Sequence, residues 1–337
     1  MNDKIAVVGA TGLVGRTMLK VLEERNFPIS EIHLFASARS AGSTVDFCGK
    51  AITVKELNDE NIRAAGVGYA LFSAGSDVSK RYAPVFAETG AVAIDNSSCW
   101  RMDKDVPLVV PEVNPDAAFE NRGIIANPNC STIQAVVALK PLHDKFKIKR
   151  IVYSTYQAVS GAGRLGCEDL AAGVSGVKPK KFPYPIAYNI LPHIDVFTDD
   201  GYTKEEIKMI NETRKILGDD SLAITATTVR VPVLYGHSES INIQFEKAIT
   251  RKAALEALKS APGIVVRDDP QNNIYPMPLD AEGRDEVFVG RVREDRSVEN
   301  GLNIWVVADN IRKGAATNAV QIAELLRSRG NQPHKHV

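Results

Sequence analysis

No apolar stretch in the 337-residue sequence approaches the roughly 18 residues that suggest a membrane-spanning helix. The opening Met1-Asn2-Asp3-Lys4 also lacks the form of a signal peptide. There is no excess of either charge sign: 41 basic side chains face 41 acidic ones, without long runs, which excludes a typical nucleic-acid or membrane-surface protein. Cysteine is scarce and scattered. Cys48, Cys99, Cys130 and Cys167 have neither the clustered spacing of a zinc site nor the density of a disulfide framework, so no metal is expected. Internal repeats and low-complexity segments are absent. The expectation is a cytoplasmic protein with reduced thiols, whose partners are small molecules and other proteins.

What is present is a long chain with 44% hydrophobic residues, enough for a large core and more readily two domains than one. Lys4–Gly9 reads as a buried parallel strand and leads through Gly9-Ala10-Thr11-Gly12-Leu13-Val14-Gly15 into an amphipathic helix ending near Arg25. The glycines are three apart, wider at the start than the common dinucleotide fingerprint. Their physical tasks are the same: a tight turn, close approach of backbone to a pyrophosphate, and close packing of helix on strand. A second strand, Glu31–Ala36, follows at crossover distance. It ends in Ser37-Ala38-Arg39-Ser40, where an NAD site usually carries an acidic side chain for the ribose hydroxyl. An arginine flanked by hydroxyls suits a 2′-phosphate, so NADP is expected. Further strands are read at Gly68–Ser73, Ala91–Asp95 and Leu108–Val110. Alternating strands and helices imply an α/β fold with a Rossmann-like doubly wound parallel sheet, whose carboxyl edge binds ligand. Ser73, Gly75 and the Asn96-Ser97-Ser98 turn lie at that edge.

The run Gly123–Ala126 ends on the same edge, directly before Asn127-Pro128-Asn129-Cys130-Ser131-Thr132. A helix follows, which Pro141 is expected to end or kink. Cys130 therefore falls in or beside the first helical turn, where unpaired N–H groups and the helix dipole favour a thiolate. The other three cysteines read as inert. Beyond Lys149 the pattern changes: half-exposed strands at Arg150–Val159, Thr228–Leu234 and Ser240–Phe245 suggest a second, α+β domain with an antiparallel or mixed sheet. Arg230 sits as a charge within an apolar strand. Glu205 and Lys208 share a face of a helical segment, Lys204–Leu217. Gly173–Asp200, rich in proline and aromatics, reads as a covering loop or a subunit contact. A last strand, Leu302–Val307, and a helix, Ala315–Arg327, close the chain.

The set GATGLVG (Gly9–Gly15), NPNCST (Asn127–Thr132), QAVSGAG (Gln157–Gly163), RVPVLYGHS (Arg230–Ser238) and ADNIRKGAATNAVQ (Ala308–Gln321) resembles the aspartate-β-semialdehyde dehydrogenase family along essentially the whole chain. The resemblance implies a glyceraldehyde-3-phosphate dehydrogenase-like arrangement, with an NADP-binding domain in residues 1–128 plus a C-terminal helix in 315–337, and a catalytic and dimerisation domain in 129–314. The implied reaction is NADPH-dependent reduction of β-aspartyl phosphate to aspartate semialdehyde through a cysteine thioester, on the route to lysine, methionine and threonine. Cys130 would be the nucleophile, His237 the acid/base and Gln157 the residue orienting the cysteine and the carbonyl. Arg230 would clamp the α-carboxylate, Glu205 or its neighbour Glu206 would meet the amino group, and Lys208 and Arg101 the phosphate. Gly9, Thr11, Gly12, Leu13, Val14, Gly15, Ser37, Arg39, Ser40, Ser73, Gly75, Ser160, Gly161 and Asn310 would contact the cofactor, Ser160 and Gly161 from a turn beside the active site. Arg101, Gln157, Arg230 and His237 would surround Cys130, and the protein would be a homodimer. The same chemistry on a longer acyl phosphate, as in N-acetylglutamyl-phosphate reductase, and a non-catalytic nucleotide-binding paralogue are the competing readings.

Overall fold

The computed structural model describes residues 3–328. The chain divides into two compact units, one built from Met1–Pro128 with the segment that begins at Ala315, the other from Asn129–Gly314. Residues 329–337, which the sequence reading joined to the C-terminal helix, lie outside the described residues.

The first unit runs β1 (Lys4–Val8), α1 (Leu13–Glu24), β2 (Glu31–Ala36), β3 (Thr44–Phe47), β4 (Lys50–Glu56), α2 (Asp59–Ala65), β5 (Tyr69–Phe72), α3 (Ser76–Glu88), β6 (Val92–Asp95) and β7 (Ile124–Ala126). Its sheet has the order β3-β4-β2-β1-β5-β6-β7, with every pair parallel except the edge pair β3–β4. Alternate side chains of β1 enter two cores, Ile5 and Val7 on one face, Ala6 and Val8 on the other. That is why these strands read as continuous apolar runs rather than alternating ones. The C-terminal helix, Thr317–Ser328, fills out the first core with Ala319, Val320, Ile322 and Ala323.

Two details differ from the sequence expectation. The β3–β4 hairpin was not anticipated; its turn is Cys48-Gly49, both at positive φ (51° and 72°), as a two-residue primed turn requires. Cys-Gly is a weak signal for it beside the familiar Asn-Gly or Asp-Gly. The strand expected at Leu108–Val110 reduces to one parallel bridge, Leu108 to Ala126. Pro107 has no N–H to extend a ladder, and Pro111 removes the next donor on the far side.

The second unit contains α4 (Cys130–Phe146), β8 (Ile148–Gln157), α5 (Arg164–Gly173), α6 (Lys204–Leu217), β9 (Ala223–Arg230), β10 (His237–Phe245), α7 (Arg251–Lys259), β11 (Ile264–Val266), α8 (Pro278–Ala281), β12 (Val287–Asp295) and β13 (Gly301–Ala308). The sheet order is β11-β12-β13-β10-β8-β9, parallel at both ends and antiparallel between. The mixed sheet is as expected; β11 and β12 were not. Helix α4 continues five residues beyond Pro141, against expectation. Ile133, Val136, Val137, Leu139, Leu142 and Phe146 are buried along it, so packing outweighs the hydrogen bond that proline forfeits.

Strand β9 ends at Arg230 rather than reaching Leu234: Val231 still donates to Gln157 O at 3.0 Å, but Pro232 has no donor to offer. Its start, Ala223-Ile-Thr-Ala-Thr, is rich in β-branched residues and pairs in parallel register with β8. Strand β8 ends at Gln157, two residues before expectation, because the Ala158 N–H turns to a histidine ring rather than to the ladder. The C-terminal helix begins at Thr317 instead of Ala315, behind a π turn at Arg312–Ala316.

Candidate active site

In the first unit the glycine turn has the tight geometry its spacing implies. Gly9 lies at φ +83°, and a Cβ there would sit 2.6 Å from Ser73 O. A Cβ on Gly15 would sit 2.2 Å from Gly9 O, so only glycine lets α1 pack this closely on the turn. Helices α1 and α3 start at glycine N-caps, Gly12 and Gly75, with no side-chain capping bond. Their leading N–H groups are left for an outside acceptor, which suits a phosphate. Around Gly75 no atom lies within 4 Å of where a Cβ would be, so the backbone is open to approach. Ser37, Arg39 and Ser40 form a short turn directly after β2, with Arg39 exposed. Thr11, Leu13 and Val14 are partly exposed on the turn and first helical residues. These groups fit a dinucleotide, and Arg39 lies in the turn directly after β2.

Arg101 is also in this unit, buried, with Nε donating to Asn127 O at 2.9 Å and Nη2 to Asn96 O at 2.7 Å. The turn that leads to it is fixed by Asp95, whose carboxylate accepts from Ser97 N at 3.0 Å and Ser97 Oγ at 2.5 Å.

In the second unit Cys130 is the first residue of α4. The helix starts there because Asn129 caps it: Oδ1 accepts from the N–H groups of Ser131 (2.9 Å) and Thr132 (3.3 Å). Cys130 Sγ lies 3.2 Å from His237 Nε2. His237, fully buried at the start of β10, has its other ring nitrogen fixed as well, since Ala158 N–H donates to Nδ1 at 3.0 Å. Burial, with Arg230 nearby, holds the imidazole well below its ordinary pKa, so the ring is neutral. With Nδ1 accepting, the single ring proton is assigned to Nε2, pointing at sulfur.

Arg230 anchors through Nη1 to Ala158 O at 2.6 Å and lies under the Phe182 ring. Gly161 packs against both groups: a Cβ there would be 3.0 Å from Arg230 Nη1 and 3.3 Å from His237 Cε1. Gln157 accepts from Thr155 Oγ1 at 3.0 Å and donates to Glu205 Oε1 at 3.1 Å. Glu205 also accepts from Asn129 Nδ2 (2.8 Å) and from Lys208 Nζ (3.2 Å). Burial alone would raise the Glu205 carboxyl, but the Lys208 charge and these hydrogen bonds outweigh it and hold it ionised below its usual range. Lys208 is opposed by burial in the same way and held above its usual range by Glu205 and Asp195. Glu206 points elsewhere, to Thr203 N and Thr228 N, completing the capping box of α6. Of the two glutamates, Glu205 is the one in this cluster.

The structure thus gathers Cys130, His237, Gln157, Arg230, Glu205 and Lys208 within the second unit. Ser160 and Asn310 bond to each other there, Asn310 Nδ2 donating to Ser160 Oγ at 3.0 Å, and Gly236 N–H donates to Asn310 Oδ1 at 2.9 Å. Two members escaped the sequence reading. Asn129 couples the helix cap to Glu205; an asparagine before a helix is a cap signal that could have revealed it. Gly314 crosses directly over the cysteine, where a Cβ would sit 2.8 Å from Cys130 Cβ, a proximity that no local pattern encodes.

Two family models match the chain: the semialdehyde dehydrogenase NAD binding domain over residues 4–120, and the semialdehyde dehydrogenase dimerisation domain over residues 139–313. The aspartate-semialdehyde dehydrogenase of Aquifex aeolicus (strain VF5) is 63% identical over 339 aligned residues, covering 98% of this chain and 99% of that one. The chain belongs to the aspartate-semialdehyde dehydrogenase family. Among solved members of that family, aspartate semialdehyde dehydrogenase II from Vibrio cholerae, complexed with ASA, superposes with a TM-score of 0.93 at 49% identity, over 97% of this chain and 99% of that chain. The Candida albicans aspartate semialdehyde dehydrogenase solved with NADP gives a TM-score of 0.77 at 28% identity, over 98% and 99%. Among the described residues, no helix is long and apolar enough to cross a membrane, and no cluster of ligating side chains could hold a metal.

Proposed function

We propose that the protein is an aspartate-semialdehyde dehydrogenase that uses NADPH to convert β-aspartyl phosphate to aspartate semialdehyde and phosphate, in the synthesis of lysine, methionine and threonine. The observation that carries this is the Cys130–His237 contact at 3.2 Å on the first residue of α4, beside Arg230 and the Gln157–Glu205 pair. A helix N-terminus, a buried guanidinium and an Nε2–H donor all favour a thiolate at Cys130. That thiolate attacks the acyl carbon, a carbon–sulfur bond forms, the bond from the acyl carbon to the bridging oxygen breaks, and phosphate leaves, taking its proton from solvent. NADPH, when bound, supplies the hydride that reduces the resulting thioester.

The carbonyl oxygen gains charge whenever its carbon becomes tetrahedral, and His237 Nε2–H is the donor in place to stabilise it. No proton need leave the ring, because the sulfur enters as thiolate and departs as thiolate. Gln157, held at both ends of its amide, orients the carbonyl. Arg230 offers two parallel N–H groups to the α-carboxylate, and Glu205 an anionic oxygen to the α-ammonium. Lys208 and Arg101 are each proposed as phosphate-binding residues.

Arg39 and its flanking hydroxyls support NADP as the preferred cofactor, held by the Gly9–Gly15 turn, Ser73 and Gly75. Asn310 and the Ser160–Gly161 turn are assigned to its nicotinamide side. The match to a dimerisation domain supports a homodimer formed through the second unit. The Gly173–Asp200 segment, with exposed Tyr184, Tyr188 and Phe197, supports this too. The test is spectrophotometric: protein, aspartate semialdehyde, phosphate and NADP should generate NADPH, and folded protein giving no signal above background overturns the assignment.

A further inference from the structure

One fully buried ionisable group has no part in this chemistry. Glu239 lies on β10 two residues beyond His237, so both side chains project from the same face of the strand. It is paired in register with Thr155 of β8 and Val306 of β13, in the interior of the sheet, and is 0% exposed. Helix α4 meets it with its first turns. Ser131 and Gln134, both 0% exposed, bear on the carboxyl. Yet, near as they lie, neither oxygen of Glu239, nor Ser131 Oγ, nor Gln134 Oε1, completes a hydrogen bond of good geometry.

Gln134 is committed on its other side, donating from Nε2 to His237 O at 3.3 Å. The groups facing Glu239 are therefore Ser131 and Gln134 from α4, Tyr153 and Thr155 from β8, the latter donating its hydroxyl to Gln157, and Val306 from β13. No lysine, arginine or charged histidine is recorded against it among the described residues. A carboxylate in such a place would be a buried charge with no cation beside it and little more than the Ser131 hydroxyl to donate to it, and it could offer only acceptors to Gln134 Oε1, itself an acceptor. A carboxylic acid offers the missing donor.

We propose that Glu239 is a neutral carboxylic acid that seats the first turns of α4 through Ser131 and Gln134, and so positions Cys130 against His237. Burial raises its pKa well above the ordinary range, in keeping with this. Glu239 touches no reacting atom; it is a positioning residue, and its catalytic consequence rests on the function proposed above.

The test compares Glu239→Gln, the isostere of the neutral acid, with Glu239→Leu, which leaves Ser131 and Gln134 facing a methyl group. Glu239→Gln should keep kcat within about threefold of the parent, whereas Glu239→Leu should lose about tenfold or more in kcat with KM little changed, because the nucleophile is displaced. Alkylation of Cys130 by iodoacetamide, read by mass spectrometry on its peptide, should slow in Glu239→Leu and not in Glu239→Gln.

Stability supplies a second readout. The folded-state pKa is raised, so the parent is most stable below the ordinary glutamate pKa and loses stability as pH rises toward the folded value. Glutamine has no such linkage, so its advantage in the folding equilibrium constant should grow by about tenfold per pH unit across that interval. Alkylation and unfolding need no turnover, so they speak to Glu239 even if the proposed reaction fails. The proposal is overturned if the stability difference between Glu239→Gln and the parent is flat with pH, if Glu239→Gln is as impaired as Glu239→Leu, or if Glu239→Leu retains parental kcat and alkylation rate.

Discussion

Replacement of His237 separates two ways in which a buried histidine can serve a thiolate. In one, the ring takes and returns a proton; in the other, it is a fixed donor. The geometry favours the second, since Ala158 N–H occupies Nδ1 and burial near Arg230 keeps the ring neutral. The bond at stake is a single N–H donor to a sulfur or oxygen anion, 3.2 Å from the sulfur. Hydrogen bonds to charged groups contribute about 1.5–3 kcal/mol, which corresponds to roughly 10- to 150-fold in rate. His237→Ala removes the donor and should lose at least that much, with some further loss from the cavity. His237→Gln keeps an N–H donor of similar reach and should stay within roughly tenfold of the parent, less than the value of the bond it preserves. Initial rates of NADPH formation at saturating aspartate semialdehyde, phosphate and NADP measure both. The pH profile adds a check: with the imidazole pKa pushed well below its usual value, no loss of rate belonging to this ring should appear as pH falls from about 8 to about 6. Glutamine as damaging as alanine, or an acid limb near the ordinary histidine pKa that vanishes in His237→Gln, would refute the donor assignment.

Other substitutions test other parts of the account. Arg39→Asp, at the exposed turn after β2, should shift preference toward NAD, with about tenfold or more loss in kcat/KM for NADP. An unchanged ratio of the two cofactors would remove Arg39 from the site. Gly314→Ala places a methyl 2.8 Å from Cys130 Cβ and should lower kcat by about tenfold or more, at a stability cost of about 1–3 kcal/mol by thermal melting. Parental kcat in that variant would show that the segment yields without moving the nucleophile.

Much of this site was legible in the sequence where chemistry is local. The Gly9–Gly15 turn is dictated by backbone demands that only glycine meets, and Cys130 was placed at a helix start by the apolar run before it and the helical pattern after it. The ambiguity between Glu205 and Glu206 could not be resolved from spacing, because both lie in the first turn of the same helix; the capping box with Thr203 takes Glu206, and the pull of Asn129, Gln157 and Lys208 holds Glu205. Arg230 was placed mid-strand because apolar residues continue to Leu234. Strand termination there follows from the missing N–H of Pro232, a signal present but overridden in the reading. Pro141 failed in the opposite direction, since burial along α4 carries the helix through it. Contacts made across distant sequence left no trace in any window: Gly314 over Cys130, Ala158 N–H on the His237 ring, and Glu239 beneath α4.

The central claim is that Cys130 carries the acyl group. Incubating the protein with β-aspartyl phosphate without cofactor, quenching in acid and mapping peptides by mass spectrometry tests it most directly. The account predicts one aspartyl group on the Cys130 peptide, released by hydroxylamine as a thioester should be, and none in Cys130→Ser. Modification of a different residue, or turnover that persists in Cys130→Ser at more than about a hundredth of the parental rate, would contradict it.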